Sequence, residues 1–256
     1  MGGGILMKPA MDAFGDFNAS VIGLLTCVTV LVMAILSVVR QSRNKAETDI
    51  KLLPSVMLSA GSAMGGIGGQ TLFRLLTNNA EDGSVKAIQN IVLAVVVVLV
   101  LVYMLSTKVS SQSQSFITTA RIKPLSIEHP AAYFLTGAAL GVLSAFLGIG
   151  GGPMNVAALT FVFGMNMKTA VLNSLITIMA AQAAKLGTMS VTGFPAMDRQ
   201  IGLILIIMAV TGAIGGLLGS FLQKRMSHKT VGIFFNCVQV VVLALCVYNI
   251  VIDSAF

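Results

Sequence analysis

The sequence predicts an all-α protein that crosses a membrane several times, and three observations carry that reading. Hydrophobic residues make up 56% of the 256 residues and charged residues only 10%, where a water-soluble domain carries about 25% charged. Mean hydropathy is +0.92. Uncharged runs of spanning length recur, as in Ala87–Leu105 (AIQNIVLAVVVVLVLVYML); about 20 helical residues cross a hydrocarbon core of roughly 30 Å. Only helices or closed barrels satisfy every backbone group in lipid, and runs of this length suit helices.

Polar interruptions divide the chain. They fall at Arg40–Lys51, Thr77–Ser84, Thr107–His129, Met165–Lys168, Gly187–Arg199 and Gln223–Lys229. Between them the sequence predicts helices near 21–39, 53–73, 86–106, 131–149, 153–164, 169–186, 200–222 and 230–251, with a further short helix over 5–14. Cys27, Cys237 and Cys246 all lie inside apolar segments and read as small packing residues. The opening MGGGILMKP has neither the charged start nor the long apolar run of a signal peptide, and lacks the Ser or Thr of a myristoylation signal. His129 and His228 fall in the loops and read as solvated.

The chain repeats itself. GGGILMKPAMDAFG (2–15) aligns with GGGPMNVAALTFVFG (150–164), SAGSAMGGIGG (59–69) with AVTGAIGGLLG (209–219), and 87–103 with 232–248. The expected organisation is a first repeat over 1–106, a cytoplasmic linker over 107–129 and a second repeat over 130–256. Each repeat is a glycine-broken short helix followed by three longer helices. The second repeat carries Ala131–Leu147 ahead of its glycine run and the first has no counterpart. The chain is therefore expected to be short by one helix: either the first helix was lost or Met1 is an internal methionine.

Charge suggests the topology. If 131–149 and 153–164 form a hairpin, the basic loops 40–51, 107–129, 165–168 and 223–229 share one face, and Arg74, Lys86, Lys185 and Arg199 are left on the other. That is the positive-inside bias. The hairpin also suits the length of 153–164, about 18 Å at 1.5 Å per residue. Each repeat then has an odd number of crossings, so the two are inverted, a recurrent plan among transporters. The net charge of +7 sits largely in these loops and does not point to nucleic acid.

The stretch FLGIGGGPMN (146–155) poses the functional question. Gly and Pro cost about 1 and 3 kcal/mol in a helix interior. A helix broken within the membrane leaves N–H groups at the start of its second half, suited to an anion. Glycine admits close backbone approach, and Pro153 fits the first turn. Two such breaks, at Gly2, Gly3, Gly4 and at Gly150, Gly151, Gly152, are expected to face each other. Lys8, Asn155, Asn173 and Ser174 are the polar candidates beside them. Lys8 either neutralises an anion or pairs with Asp12; Asn173 and Ser174 either bind substrate or bond helices together. The glycines at 65, 66, 68 and 69 and at 212, 215, 216 and 219 have helical spacing without proline and read as close-packing surfaces.

These residues carry a family resemblance. GVLSAFLGIGGGPMNVAALTFVFGMNMKTAVLNSLITI (141–178) resembles the sulfite exporter TauE/SafE family, also called a probable membrane transporter family. The shared features are the G-x-G-G-G break, a short apolar helix, a turn, and an A-x-x-x-S helix, here Ala170 and Ser174. Residues 2–15 look like the same mark in the first half. The resemblance implies a multi-pass transporter of the cytoplasmic membrane moving sulfite, an organosulfonate or a related organic anion. The sequence leaves open a permease for another solute, or a non-transporting membrane assembly protein. It has no H-E-x-x-H, no helical His, no pair of intramembrane Asp and no P-loop, so no enzyme, cofactor, metal site or direct ATP coupling is expected. The expected partners are the small anion, the lipid bilayer and possible further copies of the chain.

Overall fold

The computed structural model describes residues 3–15, 17–42, 52–112, 129–165, 167–225 and 228–253. Gly2, most of the basic loop 40–51 and most of the 107–129 linker lie outside the described residues.

The described residues are all-helical. The helices are α1 (Gly3–Phe14), α2 (Ala19–Ser42), α3 (Leu52–Asn79), α4 (Asp82–Gln112), α5 (Pro130–Leu147), α6 (Gly152–Phe163), α7 (Met167–Thr192), α8 (Arg199–Arg225) and α9 (His228–Asp253). Five of them contain a stretch long and apolar enough to cross a membrane: Ala19–Arg40, Asp82–Val102, Pro130–Leu147, Thr169–Thr192 and Arg199–Leu222. The outward faces are apolar, with Leu99, Leu203 and Ile206 among the exposed side chains. A soluble surface avoids patches of this kind; a lipid-facing one consists of them.

Several helices run further than the sequence suggests. The polar stretch 77–84 shrinks to Ala80–Glu81, because Asp82 opens α4 and caps a neighbour. Its carboxylate accepts from the Ala19 N–H at 3.0 Å, at the start of α2, where the helix dipole favours negative charge. α4 continues to Gln112, and α7 continues past Gly187 to Thr192. His129, by contrast, is exposed just ahead of Pro130.

Contacts between helices recur in matched pairs. α3 packs on α7 as α8 packs on α2; α6 lies against α7 as α1 lies against α2; α4 meets α6 as α9 meets α1. α2 and α7 cross at the centre, and α4 and α9 pack together. The most extensive contact, α3 on α5, has no such counterpart among these pairs. There the backbones touch: a Cβ at Gly61, Gly65 or Gly69 would overlap the carbonyls of Phe134, Ala138 or Val142. From the other side, Gly137 and Gly141 meet the carbonyls of Leu58 and Ser62 in the same way. Small residues thus let helices approach where lipid supplies no hydrophobic drive.

α5 and α6 form a hairpin around the glycine turn. Leu147 ends α5, and Gly148, Gly150 and Gly151 all adopt the left-handed conformation, with φ of 67°, 70° and 66°. The Tyr133 and Phe163 rings, near the opposite ends of the pair, stack at 4.3 Å. Both rings pack against a buried cluster of Leu58 of α3, Val156 and Leu159 of α6 and Ala170 and Val171 of α7.

Candidate functional site

The turn 148–151 is built from residues that cannot continue a helix. The Gly148 N–H closes α5 on the Ser144 carbonyl at 3.1 Å. Gly151 is the N-cap of α6, and the Asn155 N–H returns to its carbonyl at 2.7 Å. Left-handed φ at three positions is costly for any residue with a Cβ, which is why the stretch reads G-I-G-G. Pro153 falls in the first turn of α6, where its missing N–H has no intrahelical acceptor to lose.

The two glycine stretches meet. A Cβ on Gly4, in the first turn of α1, would stand 3.0 Å from the Ile149 carbonyl and 2.9 Å from Val30. Between them lies a small cavity of about 10 Å³, room for roughly one water. Gly4 and Ile5 of α1, Val30 and Met33 of α2, Ile149, Gly150, Gly152 and Val156 of the break and α6, and Ser174, Leu175 and Ile178 of α7 line it. Ser174 supplies a hydroxyl, which donates to the Gly152 carbonyl at 3.3 Å. Behind this wall Asn155 is fully buried and neither polar atom of its side chain has a hydrogen-bond partner. A Cβ on Gly151 would be 2.7 Å from its Oδ1. A buried unpaired amide costs about 1–3 kcal/mol, so a group that fits no partner in the resting protein marks a place where a ligand or water can complete it.

A family model described as Sulfite exporter TauE/SafE matches residues 1–246. The chain belongs to this family. No curated protein and no solved structure matches it. A TauE/SafE member is a multi-pass membrane transporter, and the spanning helices and apolar exterior described above are what such a protein needs.

In this TauE/SafE chain the sequence candidates separate into two groups. Gly4, Gly150, Gly152 and Ser174 surround the cavity, with Gly151 and Asn155 directly behind it. Gly3 begins α1, and Gly2 lies outside the described residues. Lys8 and Asn173 are engaged elsewhere. The Lys8 ammonium meets Asp12 at 2.6 Å, both side chains buried, so its charge is already neutralised. Asn173 ties α7 to α3, accepting from the Ser55 hydroxyl at 2.5 Å and donating to the Thr169 carbonyl at 3.1 Å.

One charged residue departs from its expected place. The sequence reads Lys185 as an outer-face base near a helix end. It is instead buried inside the bundle, because α7 runs six residues beyond the expected end at 186, to Thr192. The signal was present in the spacing: Val171, Ser174, Ile178, Gln182, Lys185 and Met189 follow one another at three or four residues and are all buried. Around Lys185 lies a polar group that includes Gln182, which donates to the Ser144 hydroxyl at 3.2 Å. Cys27 donates to the Gln182 carbonyl at 3.5 Å.

Proposed function

We propose that this transporter moves small anions, with sulfite, an organosulfonate or a related organic anion as substrate, across the cytoplasmic membrane. The observation that supports the reading is the meeting of the two glycine stretches, where Gly4 abuts Ile149 and Gly150 beside the Ser174 hydroxyl and the unpartnered Asn155 amide. Backbone N–H groups at the start of α6 have no intrahelical acceptors, and they present positive potential where a free side-chain charge is expensive. An anion held there is released when the two walls part. The repeats 1–106 and 130–256, joined by 107–129 and inverted relative to one another, would rock about these glycines. The basic loops then lie on the cytoplasmic side.

Counterflow in proteoliposomes with labelled sulfur oxyanions, sulfonates and carboxylates tests the substrate class. The variant Asn155→Leu tests the site. Replacing an unpaired buried amide by an apolar side chain is neutral or stabilising, so membrane abundance should hold while uptake falls by about tenfold or more, the worth of one hydrogen bond to a charged group. Gly151→Val should also abolish uptake, since valine is strained at φ 66° and collides with Asn155. Normal uptake by a well-inserted Asn155→Leu protein would exclude the break as the binding site.

A further inference from the structure

Lys185 is a buried lysine to which the described residues bring no carboxylate. Its side chain is 1% exposed. The ion pairs among the described residues join Lys8 to Asp12 and Lys86 to Asp82, so Lys185 has no carboxylate there. Its Nζ donates to the Ala145 carbonyl at 2.9 Å, near the end of α5, and lies 5.6 Å from the centre of the Phe73 ring. An ammonium has three N–H donors, and the bond to Ala145 uses one of them. Buried charge inside a membrane protein is ordinarily paired or functional.

Two glycines stand beside the ammonium. A Cβ on Gly23 of α2 would lie 3.6 Å from Nζ, and one on Gly148 would lie 3.8 Å from Nζ and 3.5 Å from the Thr26 hydroxyl. Both are ordinary contact distances, so each glycine leaves about the room of a methyl group beside the ammonium. Gly148 is also the C-cap of α5. Lys185 therefore faces one end of the glycine turn, while Ser174, three helical turns earlier on α7 (about 16 Å), faces the cavity at the other.

We propose that, when the bundle opens, Lys185 binds the oxyanion group of the transported substrate beside Gly23, Gly148 and Thr26, a second station beyond the cavity between Gly4 and Gly150. The inference rests on the anion-transport reading and gives it a charge. Sulfite and sulfonate oxygens are acceptors, which suit the N–H donors that Ala145 does not use. The ammonium is a compact point charge that does not demand one planar ligand geometry, so it accommodates several oxyanions. The Ala145 carbonyl anchors the side chain without cancelling its charge.

The test uses the full chain in proteoliposomes with labelled sulfite and labelled methanesulfonate as probes, together with the melting temperature of each variant. Lys185→Met should accumulate and melt at or above the wild-type temperature, while its KM for sulfite rises at least about tenfold, as expected when the cation of a buried charge pair is removed. Gly23→Ala leaves Lys185 in place and adds a methyl at ordinary contact distance within a helix. It should raise the KM for methanesulfonate more than for sulfite, because the bulkier anion needs the space. A stable Lys185→Met protein with wild-type KM overturns the proposal and makes Lys185 a tether for the end of α5. If Lys185→Met fails to accumulate, Gly23→Ala decides, and an unchanged KM for both probes overturns it. Wild-type protein that carries neither probe defeats the anion reading itself, a result distinct from transport that is indifferent to these two substitutions.

Discussion

α3 and α8 carry almost the same glycine pattern, MGGIGG over 64–69 and IGGLLG over 214–219, yet they sit in different surroundings. One face of the pattern behaves alike in both. Gly66 meets Ala181 of α7, and Gly216 meets Met33 of α2, so each helix crosses the central pair through a glycine. The other face differs. Gly65 lies against the Ala138 carbonyl of α5, whereas a Cβ on Gly215 would find nothing within 4 Å. Accordingly Gly65 is buried and Gly215 is exposed. A run of glycines thus records that a helix is able to approach closely, and the partner decides whether it does.

The strongest way to break this comparison is a large side chain on the second face. Gly65→Leu must push α5 off α3 against backbone, which costs about 3 kcal/mol or more by overpacking, and the protein should fail to accumulate in membranes. Gly215→Leu should accumulate normally. Equal loss for both would show that α8 is covered in the membrane by something other than the helices described here. A smaller effect sharpens the first face. Gly66→Ala puts its methyl 2.7 Å from the Ala181 carbonyl, while Gly216→Ala meets the Met33 side chain at 2.9 Å and its carbonyl only at 3.1 Å. The backbone overlap is the deeper at Gly66, and the methionine side chain can yield, so Gly66→Ala should lower the melting temperature in detergent and Gly216→Ala should lower it less; the reverse order would contradict the packing. The smallest effect belongs to Gly215→Ala. Its stability should stay within about 1 kcal/mol of wild type, shifted upward if helix propensity dominates, with uptake unchanged.

Much of the fold was legible because apolar length and glycine–proline punctuation are local signals. The runs behind α2, α4, α5 and α8, and the break before Pro153, could be read without tertiary information. Helix ends were less legible. Asp82 looked like a turn residue, but its carboxylate caps α2 across 63 residues of sequence, a contact that no window around it contains. The site was legible in its backbone and not in its charges. Gly4, Gly150 and Ser174 come together as the repeat suggested. Lys8, for which pairing and anion binding were both open, is paired with Asp12. Lys185 was misplaced because a lysine near the end of an apolar run resembles one that reaches for water; the buried three-and-four spacing around it outweighed that local impression.

The backbone contact between α3 and α5 also sets an order of events during synthesis. Sixty-eight residues separate Asn79, where α3 ends, from Leu147, where α5 ends. At about 5–20 residues per second, the ribosome needs roughly 3–14 s to deliver the second helix after the first. For that interval Gly61, Gly65 and Gly69 are in the membrane without the carbonyls of Phe134, Ala138 and Val142 against them. The nascent chain therefore holds an adhesive helix face open for seconds, and insertion factors or premature pairing with another chain have that time in which to act on it.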